Sequence, residues 1–145
     1  MHTLLDVLHV LSAVFLIGPM AILPMSAMRS VRAGDGAAVL STARSTMIFS
    51  LGSLLVVLFG FGVMGLSTYD LSVATPWILV SIILYAIALA LNLLAVVPAL
   101  RSAGEHLAAP DGNALRDNDY RRIAITSGVV TLLLVAVVVL MVTKP

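Results

Sequence analysis

Four long apolar runs constrain this chain more than any other feature of its sequence. They cover residues 4–28, 46–66, 76–100 and 123–143. A hydrocarbon core about 30 Å thick is crossed by roughly 20 helical residues, so each run is long enough to span a membrane. The runs lack the alternating pattern of barrel strands. Because a helix satisfies its own backbone hydrogen bonds in lipid, we predict an all-α integral membrane four-helix bundle, forming a single domain over residues 1–145.

The composition agrees with a bilayer environment and excludes several functions. Hydrophobic residues make up 61% of the chain and charged residues only 10%, whereas an average soluble domain is about one quarter charged. A net charge of +1 gives no electrostatic basis for binding nucleic acid. The absence of cysteine excludes thiolate catalysis and thiolate metal ligands. No nucleophile–base pattern or phosphate-binding loop occurs, so we do not expect an enzyme.

The distribution of basic residues predicts the orientation. Seven arginines lie in the connections after the first and third runs, and Lys144 near the C-terminus is the one basic residue elsewhere; the arginines are Arg29, Arg32, Arg44, Arg101, Arg116, Arg121 and Arg122. Lys and Arg mark the cytoplasmic side of a multi-pass membrane protein. We therefore predict an inner-membrane protein with loops 29–45 and 101–122 in the cytoplasm. Both the N-terminus and the C-terminus are then outside.

The first run contains the ionisable side chains His2, Asp6 and His9, whose spacing places them on one face of a helix. Asp6 can accept a hydrogen bond from Nδ1 of His9 and leave Nε2 free, as around many metal-ligating histidines. Two other interpretations stay open. Asp6 can be a solvated residue near a helix end while His9 bonds a neighbouring helix, or the pair can relay protons. Haem b bound through His9 needs a second ligand or an open site, and the candidates are Met64 or His9 of a second copy.

Proline and asparagine within the runs suggest structural roles. Gly18, Pro19 and Pro24 fall inside the first run, where each proline removes a backbone donor, and we expect helix 1 to bend at about Phe15 to Pro19. Asn92 in the third run has an apolar environment and needs a hydrogen-bond partner. Polar residues of the fourth run at similar depth are the expected partners, namely Thr126, Ser127 and Thr131.

The opening of the first run resembles that of a known family. Leu8-His9-Val10-Leu11, followed by Ala13 and Gly18, is similar to the start of a bacterial family of predicted integral membrane proteins, domain of unknown function 2269. The resemblance extends over nearly the whole chain and includes Pro76-Trp77 at the start of the third run. The sequence departs from the family pattern at Pro19, where a second glycine is usual.

The same opening is also similar to CopD-like copper-resistance proteins and to the membrane protoporphyrinogen oxidase family. In the latter family a first-helix histidine binds haem, so the resemblance implies that role for His9. A lysine that the oxidase family uses in its third or fourth helix is absent here. That absence argues against the oxidase activity.

Three functions are consistent with the sequence. We favour an accessory or assembly subunit of a larger membrane complex, because such a subunit needs neither size nor catalytic groups. A haem- or metal-binding membrane protein that uses His9 is the first alternative. A small transporter or channel unit, built as a homo-oligomer, is the second. The lipid bilayer is the partner common to all three.

Overall fold

A computed structural model of the protein describes residues 2–66, 74–108 and 117–143, which fold into four long helices. Helix 1 comprises His2–Ser12, a π-helical turn at Ala13–Ile17 and Gly18–Arg32; helix 2 comprises Gly36–Gly52 and Leu54–Leu66; helix 3 comprises Pro76–Leu91, a π-helical turn at Asn92–Val96 and Val97–Ala108; helix 4 is Asp117–Thr143. Each contains an apolar stretch long enough to cross a membrane. The predicted all-α membrane bundle is therefore confirmed.

The helices extend beyond the apolar runs at the end of the bundle that carries the arginines, here called the basic end. Helix 1 continues to Arg32 and helix 2 begins at Gly36, so the connection is residues 33–35 instead of the predicted loop 29–45. Helix 3 likewise continues to Ala108. Hydropathy marks only the part of a helix inside hydrocarbon, whereas backbone hydrogen bonding continues into the polar interface. Arg116, Lys144 and residues 109–116 as a whole lie outside the described residues.

A tight turn joins helices 1 and 2. Gly34 has φ +71°, which is the left-handed conformation that glycine adopts without strain. Its N–H bonds the Val31 carbonyl at 3.1 Å, and the Asp35 N–H bonds the Ser30 carbonyl at 3.0 Å, as in a Schellman motif. Asp35 then caps helix 2 by accepting a hydrogen bond from the Ala38 N–H at 3.1 Å. The sequence Gly34-Asp35 thus ends one helix and starts the next.

All four helices pack together in the half of the bundle nearer the basic end, here called the basic half. Gly18–Arg32 contacts helices 2 and 4, and Gly36–Gly52 packs closely along Val97–Ala108. The buried side chains here include Met20, Ala27, Val39, Ala43, Leu100, Ala103 and Ile123. Gly36 lies directly against helix 3, since a Cβ added there would be 2.7 Å from the Gly104 carbonyl oxygen. Small residues allow this close helix approach in a membrane.

The other half of the bundle, here called the opposite half, is organised as two pairs. His2–Ser12 packs on Leu54–Leu66, and Pro76–Leu91 packs on helix 4. The two pairs make little contact with each other. Large apolar side chains remain exposed on both pairs, for example Val10, Leu58 and Ile83. The opposite half therefore lacks the common four-helix core of the basic half.

Helices 1 and 3 each contain a π-helical turn just before a proline. The Gly18 N–H bonds the Ala13 carbonyl, and Pro19 follows. The Val97 N–H bonds the Asn92 carbonyl, and Pro98 follows in the same register. Proline cannot donate to the carbonyl four residues earlier, so a widened turn relieves the local mismatch. The first of these turns lies where we expected helix 1 to bend.

Candidate functional site

His9 lies at the contact between the opposite halves of helices 1 and 2. Its Nδ1 donates a hydrogen bond to the Val56 carbonyl of helix 2 at 2.9 Å. The imidazole ring packs against Gly60, where an added Cβ would be 2.9 Å from Cε1 of His9. Val56 and Gly60 are one helical turn apart, so they form one face of helix 2. This carbonyl and this glycine together hold the ring between the two helices.

The hydrogen bond assigns the tautomer of His9. A carbonyl oxygen can only accept, so the ring nitrogen facing Val56 carries the proton. In the neutral imidazole Nε2 is then unprotonated and retains its lone pair. Among the described residues no side chain hydrogen-bonds this nitrogen. His9 is therefore oriented at the boundary of two membrane helices, and in its neutral form Nε2 is available as a base or a ligand atom.

Asp6 does not form the expected pair with His9. The Nδ1–H that we assigned to the Asp6 carboxylate goes to the Val56 carbonyl. Asp6 is exposed and borders a shallow apolar depression with Val7, Val10 and Leu11. Although three-residue spacing places Asp6 and His9 broadly on one side of helix 1, the helix 2 backbone takes the imidazole away from the carboxylate. The side chain of His2 lies outside the described residues.

Met64 shares the face of helix 2 that carries Val56 and Gly60, because these positions are four residues apart. It is half-buried. One turn of helix, about 5.4 Å, separates it from Gly60, the residue that contacts His9. No hydrogen bond joins the Met64 sulfur to the imidazole among the described side chains.

The imidazole of His9 fills the contact between helices 1 and 2. The ring is held against the helix 2 backbone, and even Nε2 lies 3.8 Å from the position of a Cβ on Gly60. A haem held by Nε2 would need a second axial ligand or an open site. No group of three or more His, Cys, Asp or Glu side chains that could hold a metal ion occurs within residues 2–66, 74–108 and 117–143.

A buried polar cluster lies near the middle of the bundle, between helices 2 and 3. Nδ2 of Asn92 donates to the Ser50 hydroxyl at 2.6 Å. The Ser53 hydroxyl donates to the Ser50 carbonyl at 2.5 Å, so the Tyr85 hydroxyl, 2.6 Å away, donates to Ser53. All four residues are buried. Asn92 thus bonds helix 2, not the expected helix 4 group, and its Oδ1 has no partner in the described part of the chain.

The remaining structural residues lie in helix 1. Gly18 and Pro19 follow directly on the π-helical turn, and an added Cβ at Gly18 would meet nothing within 4 Å. Pro24 is buried in the basic half. Thr131 of helix 4 donates to the Ala21 carbonyl at 3.1 Å, which joins helix 4 to this proline-containing segment of helix 1.

Residues 3–145 match the sequence profile of the predicted integral membrane protein family, domain of unknown function 2269. The chain belongs to this family. No curated protein and no solved structure matches it. The family description agrees with the four membrane-spanning helices of the structure and names no activity or ligand.

Sequence reasoning missed several site residues of this family member. Val56 contributes a backbone carbonyl, which has no side-chain signature. Gly60 is conspicuous only as a small residue, and its relation to His9 depends on how helices 1 and 2 pack. Ser50 was missed because serine is common in membrane helices; its depth, matched to that of Asn92, is the signal that would have identified it.

Proposed function

We propose that this protein is an accessory or assembly subunit of a larger membrane complex, which it contacts through its opposite half. The observation that supports the proposal is the division of that half into two helix pairs. His2–Ser12 with Leu54–Leu66, and Pro76–Leu91 with helix 4, each leave an apolar surface that the other pair does not cover. Helix surfaces of a partner would complete the four-helix packing that the basic half already has.

Asp6 adds a polar element to this surface. Its carboxylate is exposed and its neighbours Val7, Val10 and Leu11 are apolar. An ionisable group near the start of a membrane helix is costly unless water or a partner group meets it. A cationic or hydrogen-bond-donating side chain of a partner helix is therefore the complement that Asp6 would recognise.

Site-directed photo-crosslinking in native membranes tests this proposal. A photoreactive amino acid replaces Val10 or Leu58 in the opposite half, which are 58% and 62% exposed. The matched controls are Ile22 and Ile48 in the basic half, which are 65% and 60% exposed. We expect discrete protein adducts from the first two positions and lipid adducts alone from the controls.

Two results would count against a complex subunit. The first is the absence of protein adducts at Val10 and Leu58 together with a monomeric mass in mild detergent. The second is an adduct of twice the chain mass. It would identify a second copy as the partner and show that the protein forms a homo-oligomer instead of joining a larger complex. Asp6→Asn is expected to weaken a true complex during purification while leaving the thermal stability of the isolated protein unchanged.

We further infer that the protein lies in a bacterial inner membrane with its basic end in the cytoplasm. The support is the arginine asymmetry, and the structure places Arg29, Arg32, Arg101 and Arg121 on exposed helix ends. A periplasmic reporter fused after Lys144 is expected to be active, and a cytoplasmic reporter at the same site to be silent. The same reporters inserted at Gly34 should give the reverse result. An active cytoplasmic reporter at the C-terminus would indicate the opposite topology.

Haem binding through His9 is the second candidate function, and the observation that favours it is the lone pair on Nε2. His9 would supply one axial ligand, and the second would come from Met64 or from His9 of a second copy, or would stay open. Purification in mild detergent after growth with ample haem should then give a Soret band that is lost in His9→Ala and kept in His106→Ala. A colourless, folded protein rejects this candidate.

A further inference from the structure

A groove at the basic end lies between helix 1 and helix 4, with Thr42 of helix 2 at one side. Its volume is about 790 Å³. Arg29 and Arg32 of helix 1 line it, and among the side chains that the structure describes none of those lining it is acidic. The groove is distinct from the His9 contact, the central polar cluster and the surface of the opposite half.

The polar atoms of the groove can donate to an anion. Arg32 is held in place because its Nε donates to the Tyr120 hydroxyl at 2.6 Å and its guanidinium lies 5.4 Å from the centre of the Tyr120 ring. Its terminal nitrogens keep their donors, since a guanidinium has five N–H groups. Arg29 has no partner among the described residues. Two arginines so placed are suited to the oxygens of a phosphate group.

A buried hydroxyl in the groove points independently to a ligand. Ser127 is 1% exposed, it lines the groove, and its Oγ has no hydrogen-bond partner within the described residues. Many serine and threonine hydroxyls in membrane helices donate to a carbonyl of their own helix, as the Thr126 hydroxyl does to the Arg122 carbonyl. A buried polar atom without a partner is costly, and an anion or its hydration water would satisfy the Ser127 hydroxyl.

Met25, Met28 and Ala124 give the groove an apolar side, beside the hydroxyl-bearing Ser26, Ser30 and Thr42. A free phosphate ion has no use for such a surface, whereas the glycerol and upper acyl carbons of a phospholipid would cover it. Basic pockets between membrane helices on the cytoplasmic side commonly hold anionic headgroups. We propose that the groove between helices 1 and 4 is a binding site for an anionic phospholipid, with the phosphate at Arg29, Arg32 and Ser127.

Lipid titration of the full chain in detergent micelles, followed by native mass spectrometry, tests the site. Phosphatidylglycerol is the probe and phosphatidylcholine the comparison lipid. We expect phosphatidylglycerol to bind at least about tenfold more tightly. Arg29→Gln should reduce its affinity about fivefold, which is the usual effect of one basic residue near anionic lipid. Arg29→Gln with Arg32→Gln should reduce it about twentyfold or more.

The matched control is Arg101→Gln, at the same end of the bundle. Arg101 is exposed and donates to the Met47 sulfur at 3.6 Å, outside the groove. We expect less than a twofold effect from this control. If Arg101→Gln lost as much phosphatidylglycerol affinity as Arg29→Gln, or if the two lipids bound equally well, the binding would be a diffuse attraction to the basic surface. Either result would overturn the proposal. Displacement of the lipid by equimolar inorganic phosphate would reassign the groove to the free ion.

Ser127→Ala separates ligand binding from folding. Because the hydroxyl has no partner in the described part of the protein, its removal should leave the thermal stability of the lipid-free protein unchanged or slightly raised. The same variant should lower phosphatidylglycerol affinity about fivefold. Unchanged lipid affinity in Ser127→Ala would mean that the phosphate does not bind at Ser127, which would contradict the assignment.

Discussion

Gly60→Ala is expected to destabilise the pair formed by the opposite halves of helices 1 and 2. The new Cβ would lie 2.9 Å from Cε1 and 3.3 Å from Nδ1 of His9, so the ring has to move by about 0.5 Å to reach ordinary van der Waals distance. That movement stretches the bond from Nδ1 to the Val56 carbonyl. A hydrogen bond between membrane helices contributes about 0.6 kcal/mol, and overpacking typically costs about 1–3 kcal/mol. Replacing glycine with alanine also stabilises the helix by about 1 kcal/mol, because alanine has the higher helix propensity.

The net expectation for Gly60→Ala is a loss of about 1–2 kcal/mol, obtained by balancing overpacking and the weakened bond against the propensity gain. Unfolding in mixed micelles with increasing SDS, followed by circular dichroism, measures this loss. Gly65→Ala is the control, because none of the described residues lies within 4 Å of its Cβ position, and it should be neutral or stabilising.

A double-mutant cycle with His9→Ala tests the cause. If the His9 ring is what the new methyl group meets, then Gly60→Ala should become neutral or stabilising once the ring is removed. The reasoning is refuted if Gly60→Ala is as stable as the parent protein, or if it costs the same with and without the imidazole.

Three further substitutions probe the interior. Gly36→Ala should lower the free energy of unfolding by about 3 kcal/mol or more. Its Cβ would be 2.7 Å from the Gly104 carbonyl oxygen, and backbone cannot move aside as a side chain can. A mild loss of stability in the SDS assay would mean that helices 2 and 3 are further apart. Asn92→Ala should cost about 1–2 kcal/mol through the lost bond to Ser50 and the cavity left behind; thermal unfolding that matches the parent would contradict this. Tyr85→Phe should cost about 1 kcal/mol, with an unchanged helix content by circular dichroism.

The four spans were predictable because the bilayer requires them. Hydropathy and the length of a helix that crosses hydrocarbon depend on the solvent, not on details of packing. The helix ends were less predictable for the same reason. Arg32 and Ala108 belong to helices that continue through the polar interface, where the apolar signal stops but backbone hydrogen bonding does not.

The partners of polar groups were the least predictable part of the site. His9 was identified as the membrane-embedded histidine of helix 1, but its hydrogen-bond partner is a carbonyl of helix 2 that any residue at position 56 would supply. Asn92 was expected to bond helix 4 because polar side chains there lie at a similar depth. Depth alone does not say which neighbouring helix an asparagine faces, and Ser50 of helix 2 satisfies the same condition.

The π-helical turns of helices 1 and 3 act as phase shifts. Each wide turn holds one residue more than an α-helical turn, and one residue corresponds to about 100° of rotation around the helix axis. The stripe of helix 1 that meets helix 2 at His9 is therefore offset from the stripe that meets helix 4 at Ala21. Deleting one residue between Ala13 and Ile17 would remove this offset and turn His9 away from Gly60 while leaving the basic half in place. The extra residue therefore allows the two segments of helix 1, one on each side of the π-helical turn, to face helix 2 and helix 4 respectively.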